Sequence, residues 1–259
     1  MIYVGTCGFS YKDWLGVFYP QRTKPAEMLP FYARHFGAVE IDSSYYAVPG
    51  RRTFASMNAR TPAGFRFSVK VPATVTHAPE PTVRVHDDAA RLLEALEPLR
   101  ESGKLACILA QFPNGFAPTQ GNREYLRRVV EALAEVPVVV EFRRRAWQTS
   151  ATLDLLHEIG AGYCNVDMPA HESLLRPSAD TTSDLGYVRF HGRNAATWWK
   201  GTNVTRYDYL YSNEELAAWA DRIADVGMQA RQTLVFFNNH ARGQATTNAR
   251  TLASMLREE

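Results

Sequence analysis

Short apolar runs recur along the whole chain, and longer amphipathic stretches separate them. The runs are rich in β-branched and aromatic residues, which is typical of buried strands in a parallel sheet. We predict eight strands, at Ile2–Gly8, Ala38–Tyr46, Phe65–Pro72, Leu105–Pro113, Val136–Phe142, Gly162–Asp167, Gly186–Gly192 and Thr233–Asn239.

Most intervals between these strands repeat their apolar residues with the period of an α-helix. We predict helices at Ala26–Phe36, Arg51–Arg60, Asp87–Ser102, Arg123–Glu135, Thr152–Ile159, Asn213–Val226 and Ala245–Arg257, with a weaker one at Glu172–Leu175. Residue types that commonly cap helices stand at several of these boundaries. They are Asp87-Asp88, Ser212-Asn213 with Glu215, Gly103, Gly160 and Gly227.

Strict alternation of strands and helices predicts a parallel sheet. An open doubly wound sheet alternates in the same way, but no glycine-rich phosphate-binding turn follows the first strand. Eight strands in 259 residues, with a last helix placed to close against the first strand, favour a closed barrel. We therefore predict an α/β fold, a single (β/α)8 TIM-barrel domain over residues 1–259.

Polar residues occupy alternate positions in five of the predicted strands. Because the outward face of a barrel strand lies under helices and is apolar, we predict that these residues point into the barrel. They are the acids Glu40, Asp42, Glu141 and Asp167, the bases Arg66, Lys70, Arg143 and Arg189, and also Ser68, Asn165 and His191. An unpaired buried charge costs several kcal/mol, so we expect these groups to be paired or hydrated.

Most of these charges lie toward the C-terminal ends of the strands, where TIM-barrel enzymes build their active sites. The pattern therefore predicts a charged site at the mouth of the barrel. The alternative is an interior ion-pair network that closes the barrel top and binds nothing, since such networks also perturb pKa values.

Seven sequence motifs follow one another along the chain. They are Val4-Gly5-Thr6-Cys7-Gly8, Val39-Glu40-Ile41-Asp42-Ser43-Ser44-Tyr45-Tyr46, Lys70-Val71-Pro72, Gln111-Phe112-Pro113, Val140-Glu141-Phe142-Arg143, Val188-Arg189-Phe190-His191-Gly192 and Phe237-Asn238-Asn239. Together they resemble the YecE-like family, a family built on a domain of unknown function. The resemblance implies a TIM barrel and implies no particular reaction. Asp42 departs from it, because Asn is the residue expected there.

Two glutamates are the candidate catalytic acids. Glu40 and Glu141 lie three strands apart, so we predict that their carboxylates face each other across the mouth as acid and base, or as nucleophile and acid. His191 is the candidate proton carrier.

The remaining candidates would bind the substrate. Cationic side chains suit a phosphate or carboxylate group, aromatic rings suit stacking, and amides suit oxygen atoms. The predicted substrate-binding residues are Trp14, Tyr45, Lys70, His77, Arg143, Trp147, Asp167, Arg189, Asn238 and Asn239.

Composition narrows the function classes only slightly. A net charge of +2 is too small to indicate a nucleic-acid partner by itself, and no apolar run is long enough to span a membrane. The N-terminus shows no signal-peptide pattern, so we expect a cytoplasmic protein. The three cysteines, Cys7, Cys107 and Cys164, lie far apart in apolar stretches and are predicted to be buried thiols.

The leading hypothesis is an enzyme of hydrolase or isomerase type that acts on an anionic substrate, such as a phosphosugar, a nucleotide or a nucleic-acid fragment. One alternative is a non-catalytic module that binds a nucleic acid or a metabolite. Another is a metal-dependent phosphoesterase with a divalent ion on Glu40, Glu141, Asp167 and His191. The leading hypothesis needs no cofactor.

Overall fold

A computed structural model describes residues 1–77 and 84–258, and in it eight parallel strands close into a barrel. The strands are β1 (Ile2–Cys7), β2 (Ala38–Ile41), β3 (Arg66–Lys70), β4 (Leu105–Gln111), β5 (Val138–Glu141), β6 (Gly162–Asp167), β7 (Leu185–Phe190) and β8 (Gln232–Phe237). Each strand pairs with the next, and β8 pairs with β1. The predicted (β/α)8 barrel is therefore confirmed.

Helices cover the outside of the barrel. In the described residues they are α1 (Pro25–Tyr32), α2 (Arg51–Ala59), α3 (Ala73–Thr76), α4 (Arg84–Glu101), α5 (Gln120–Ala132), α6 (Ser150–Glu158), α7 (Asn203–Arg206), α8 (Asn213–Gln229) and α9 (Gln244–Glu258). The weak helix predicted at Glu172–Leu175 is wrong, because this segment forms only a turn and a single bridge to Arg144. No helix of the described ranges is long and apolar enough to cross a membrane.

The predicted helix boundaries hold at three positions and fail at two. Ser212 and Glu215 form a reciprocal capping box at the start of α8. Gly103 and Gly160 follow their helices with positive φ angles of 66° and 69°. Gly227 instead lies inside α8, where a Cβ would come within 3.3 Å of Ile2, so close packing on β1 explains it. Asp87 is not a cap either, since α4 begins at Arg84.

Strands β1 and β2 approach each other closely at Gly5. A Cβ at this position would lie 2.1 Å from the carbonyl oxygen of Ala38, so any side chain would push the two strands apart. The register that pairs Gly5 with Ala38 also pairs Cys7 with Glu40, which brings Glu40 to the inner end of the barrel mouth.

The predicted inward direction of the polar residues is correct for Glu40, Glu141 and Arg189, and wrong for β6. Cys164 of β6 points toward Glu141 in the interior, with its Sγ 3.9 Å from Oε2. Asp167 consequently points outward, where it accepts a hydrogen bond from Trp219 of α8.

The reason for the reversal lies in the connection that follows β6. This connection contains no helix, so part of the outer face of the strand meets a loop whose backbone needs polar partners. Asn165 supplies them: its Oδ1 accepts from the amide of Asp180 (2.9 Å), and its Nδ2 donates to the carbonyl of the same residue (2.8 Å).

Candidate active site at the barrel mouth

An ion-pair network centred on Arg189 fills the upper interior of the barrel. Nη2 of Arg189 donates to Oε1 of Glu40 (2.7 Å), and Nη1 donates to Oε2 of Glu141 (2.5 Å). All three side chains are buried. One guanidinium group on β7 therefore joins a carboxylate from β2 to a carboxylate from β5, and the two glutamates do not face an open cleft.

A chain of hydroxyl groups completes the environment of Glu40. The Tyr187 hydroxyl donates to Oε2 of Glu40 (2.7 Å), and the Ser68 hydroxyl lies 2.7 Å from that of Tyr187. Since Tyr187 uses its only proton on Glu40, Ser68 is the donor of the second bond. Glu40 is thus held on both oxygens.

Glu141 is held by a second set of donors. Nε of Arg143 bonds to Oε1 of Glu141, and Nε2 of His191 lies 3.1 Å from the same oxygen. Nδ2 of Asn238 lies 3.1 Å from Nδ1 of His191. Because the carboxylate and the amide fix both contacts, His191 carries its proton on Nε2 and accepts at Nδ1.

The network is electrically balanced. Burial opposes ionisation of Glu141, but Arg143, Arg189 and His191 outweigh it and hold the pKa of this carboxyl below its usual range. Burial and the charge of Arg143 lower the pKa of His191 to about 3, so its ring is neutral at pH 7. Two carboxylates thus face two guanidinium groups.

A cavity of about 700 Å³ opens above this network at the C-terminal ends of the strands. Six of the predicted substrate-binding residues line it: Tyr45, Lys70, His77, Arg143, Arg189 and Asn238. Its wall also includes Tyr11, Asp42, Ser43, Tyr46, Gln111, Pro113, Asn114, Leu174, Trp198, Trp199, Arg206, Tyr207 and His240. The cavity is therefore the place where a ligand would meet these side chains.

Lys70 ends β3 and reaches the cavity with an amine that forms no ion pair with a carboxylate of the described residues. Its Nζ donates to Oε1 of Gln111 (2.8 Å) and lies 4.3 Å from the centre of the Tyr45 ring. Within the described part of the chain, these are the contacts of the ammonium group. Burial and the charges of Arg189 and Arg143 lower the pKa of Lys70 to about 8.

Asp42 is the one carboxylate that lines the cavity among the described residues. Burial, reinforced by the charge of Glu40, raises its pKa above the usual value, although Lys70 and Arg189 act in the opposite direction. His77 also lines the cavity, and burial together with Lys70 and Arg143 lowers its pKa to about 4. At neutral pH His77 is therefore an uncharged donor or acceptor.

The long connection between β7 and α8 supplies the part of the wall that the strand pattern missed. Arg206 ends the short helix α7, and its Nε has no hydrogen-bond partner among the described residues. Trp198 and Tyr207 pack near His191, with ring centres 6.5 and 6.1 Å from it. The signal in the sequence was the density of aromatic residues in this connection, whereas nothing in the strand pattern distinguished Arg206.

Four predicted substrate-binding residues lie away from the cavity. Trp14 and Trp147 are fully buried, and their indole nitrogens donate to the carbonyl oxygens of His240 and Phe116. Asn239 donates to Asn248 on the outer side of β8. Asp167 belongs to the outward cluster already described. These four side chains therefore lie outside the cavity wall, because packing and capping use the same residue types as ligand binding.

A family model described as protein of unknown function DUF72 matches residues 3–259. The chain belongs to the DUF72 family. It is 31% identical to the UPF0759 protein YunF of Bacillus subtilis over 99% of this chain and 95% of YunF. It is also 31% identical to YecE of Escherichia coli over 46% of this chain and 40% of YecE.

Solved structures of the DUF72 family agree with this assignment. A crystal structure of a DUF72 protein from Thermotoga maritima superposes with a TM-score of 0.91 at 38% identity, covering 99% of both chains. The resemblance to the YecE-like family is thereby confirmed. Since DUF72 is a family of unknown function, the activity has to be argued from the site.

The donor set of this DUF72 chain does not fit a divalent metal ion. Across residues 1–77 and 84–258, no three His, Cys, Asp or Glu side chains converge as metal ligands. Among the predicted ligands, Asp167 points outward, while Glu40 and Glu141 already bind Arg189. A metal at the mouth would have to displace a buried guanidinium group.

Proposed function

We propose that the protein is an isomerase-type enzyme that binds a small anionic carbonyl compound in the mouth cavity and moves a proton next to the carbonyl group. The observation that carries the proposal is the excess of cationic groups in the cavity wall. Lys70 and Arg206 line the cavity, and neither has a carboxylate partner within the described residues.

The charges of the wall favour an anion. Arg143 and Arg189 are balanced by the two buried glutamates, which leaves Lys70 and Arg206 against the single carboxylate of Asp42. A cleft lined by an excess of one sign raises the local concentration of ligands of the opposite sign. A phosphate or carboxylate group on the substrate would offset this excess.

The size and the rings of the wall favour a small organic molecule. A cavity of about 700 Å³ is in the range of small-molecule sites. Tyr45, Trp198 and Tyr207 contribute aromatic rings to its wall. Such rings stack on sugars and bases without demanding one hydrogen-bond pattern.

Proton transfer fits the acid groups better than glycoside hydrolysis does. A glycosidase needs two carboxyl groups facing the substrate. Among the described residues Asp42 is the one carboxylate in the cavity wall, and its raised pKa suits a group that accepts a proton and returns it. The cationic Lys70 is placed to stabilise negative charge that develops on the substrate.

The roles predicted for Glu40, Glu141 and His191 stay predictions. None of these three side chains lines the cavity, and all are buried. The geometry supports their acting as positioning residues, which hold Arg189 and Arg143 beneath the substrate.

Binding is tested by isothermal titration calorimetry with dihydroxyacetone phosphate, inorganic phosphate and the neutral dihydroxyacetone. We expect both anions to bind, and the neutral compound to bind at least about tenfold more weakly, because it lacks the charge-assisted contacts. Arg206→Gln should weaken anion binding, whereas Arg231→Gln, at a surface residue that is 86% exposed, should not. Equal binding of neutral and anionic compounds would contradict the anion site.

Turnover is tested by incubating the same carbonyl compounds in D2O and following deuterium incorporation by NMR. We expect exchange with the wild type, loss of exchange with Asp42→Asn, and full exchange with Asp184→Asn, whose side chain is exposed away from the mouth. Binding without exchange across the panel would instead favour a non-catalytic binding module. A single-stranded oligonucleotide that binds more tightly than every small anion would point to a nucleic-acid ligand.

A further inference from the structure

We propose that Lys70 is a nucleophile, and that its amine condenses with an aldehyde or ketone group of the anionic substrate to form an imine. This inference deepens the proposed function and rests on it, because it assigns the carbonyl group of the substrate a covalent partner in the same cavity. The inference starts from the place of Lys70 in the cavity wall, where its amine forms no ion pair with the described residues.

The amine of Lys70 is held in place by contacts that leave part of it open to the cavity. Gln111 accepts a hydrogen bond from Nζ of Lys70, and Gln111 is itself fixed because its Nε2 donates to the carbonyl oxygen of Phe112 (2.8 Å). The Tyr45 ring covers another side of the ammonium group. Nζ therefore keeps a free direction into the cavity that Lys70 lines.

The groups that face Lys70 favour its neutral form. Arg189 and Arg143 repel a proton on Nζ, and the opposite effect of Glu141 and Glu40 is smaller. His77 is uncharged at neutral pH, and Asp42, whose charge interacts with that of Lys70, is the one carboxylate that lines the cavity among the described residues. Burial beside cationic neighbours is a recognised way of making a lysine amine nucleophilic.

Lys104 shows what a structural lysine looks like in the same chain. It is buried as well, but its Nζ donates to the carbonyl oxygens of Asn58 (2.7 Å) and Thr61 (2.7 Å) and to the Thr61 hydroxyl (3.2 Å). All three of its protons are used, and it does not line the mouth cavity. The ammonium group of Lys70, by contrast, donates one hydrogen bond to a side-chain acceptor, and its other two protons form no hydrogen bond with the described residues.

The chemical step balances without a further reactant. The lone pair of neutral Nζ attacks the carbonyl carbon, the carbon–oxygen π pair moves to oxygen, and proton transfer gives a carbinolamine. Loss of its hydroxyl group as water, with one proton taken up from solvent, leaves a protonated imine. The positive nitrogen acidifies the neighbouring C–H bond, and Asp42 accepts that proton to leave an enamine. Asp42 then returns a proton to carbon, which restores the protonated imine, and water hydrolyses it to release the carbonyl compound and the amine.

The proposal is tested by trapping the imine with sodium borohydride in the presence of pyruvate or dihydroxyacetone phosphate. Reduction fixes the compound as a secondary amine, and the adduct adds the mass of the compound less one oxygen atom. The chain has five lysines, Lys12, Lys24, Lys70, Lys104 and Lys200, so peptide mapping identifies the modified one. We expect at least about tenfold more adduct at Lys70 than at Lys200, and faster trapping as the pH rises toward 8.

Lys70→Arg is the matched variant, because it keeps the positive charge but cannot form an imine. It should retain the fold, and it should give no adduct in the mouth. The neutral dihydroxyacetone should trap much less, and excess inorganic phosphate should compete with trapping. Each of these results supports Lys70 as the nucleophile.

Two outcomes overturn the proposal. If inorganic phosphate binds but no anionic carbonyl compound is trapped on Lys70, the imine is wrong and the anion site stands. If adducts spread equally over the exposed lysines, the labelling is nonspecific and the imine is equally wrong. Absence of anion binding by calorimetry would instead remove the proposed function itself, which keeps the two failures distinguishable.

Discussion

Arg189 is the single side chain on which the barrel interior depends most. It is buried and joins Glu40 of β2 to Glu141 of β5 across the interior of the barrel. A buried ion pair contributes little net stability when it is intact, but removal of one partner leaves the other charge without compensation. Substitution of Arg189 should therefore destabilise the protein far more than substitution of an arginine on the surface.

We expect Arg189→Met to lower the free energy of unfolding by about 3–5 kcal/mol, because it strands two buried carboxylates. Urea denaturation followed by circular dichroism measures the change. Arg231→Met, which breaks an exposed pair with Asp184, should have little effect. Adding Glu40→Gln and Glu141→Gln to Arg189→Met should recover part of the loss. Equal stability of the two single variants would contradict the role of Arg189.

Alternation along single strands identified most of the interior charges in advance. Glu40, Glu141 and Arg189 point inward as predicted, because helices cover the outer faces of their strands. The alternation said nothing about which of these charges pair with one another, since pairing depends on the stagger between strands. The alternation also could not show that Asp42 lines the cavity while Glu40 and Glu141 do not.

Asp167 shows how an element without its expected helix reverses the pattern. It accepts hydrogen bonds from Tyr211 (2.7 Å), Trp219 (2.7 Å) and Arg193 (2.6 Å), which tie the end of β6 to α8 and to the segment before it. The cluster lies outside the barrel wall and apart from the cavity.

We expect Asp167→Ala to destabilise the protein while leaving anion binding intact. The buried donors of Tyr211 and Trp219 would lose their acceptor, at about 1–3 kcal/mol for each. Denaturation in urea reports the first effect, and calorimetry with inorganic phosphate reports the second. A variant that folds normally yet loses phosphate binding would place Asp167 in the site after all.

The N-cap of α8 should contribute a smaller amount to stability than the Asp167 cluster does. Ser212 accepts from the amide of Glu215, and the Glu215 carboxylate accepts from the amide of Ser212. We expect Ser212→Ala to cost about 1 kcal/mol of unfolding free energy, as is usual for a lost N-cap. Ser212→Asp should restore most of it, and a variant series without this ranking would contradict the capping role.

Protonation of buried groups gives the whole molecule an acid-sensitive stability. The folded-state pKa of His191 is about 3, while an unfolded histidine titrates near 6.5, so between these values only the unfolded chain binds the proton. The unfolding free energy therefore falls as the pH drops from about 6.5 toward 3, by up to about 1.4 kcal/mol per pH unit from this group. His77 acts in the same direction, and Glu141 adds to it below about pH 4.5.

Thermal denaturation between pH 7 and pH 4 measures this dependence. His191→Gln places an uncharged donor near Glu141, so the variant should lose stability less steeply with acid than the wild type does. Parallel curves for the two proteins would show that His191 does not titrate as its burial requires.

At the scale of the whole molecule, the sequence was sufficient for the closed barrel and for the position of its mouth. Both follow from periodicity and from the count of eight strands. The place of Arg206 in the cavity wall was not accessible in this way, because Arg206 stands in a long connection whose path only tertiary contacts determine. Trp14 and Trp147 failed as candidates for a related reason, since an aromatic ring near a strand end packs as readily as it binds.

The segment that replaces a helix between β6 and β7 has a consequence for how the protein can diversify. One anchor of this segment is Asn165, which accepts a hydrogen bond from the amide of Asp180. The other is at the rim, where the amide of Arg145 donates to the carbonyl of Ser173 (2.8 Å). The next residue, Leu174, lines the cavity. A change of length or composition between these anchors would reshape one wall of the mouth while every strand stays in register. Substitutions, insertions or deletions in this loop can therefore change substrate specificity among relatives that share the same barrel.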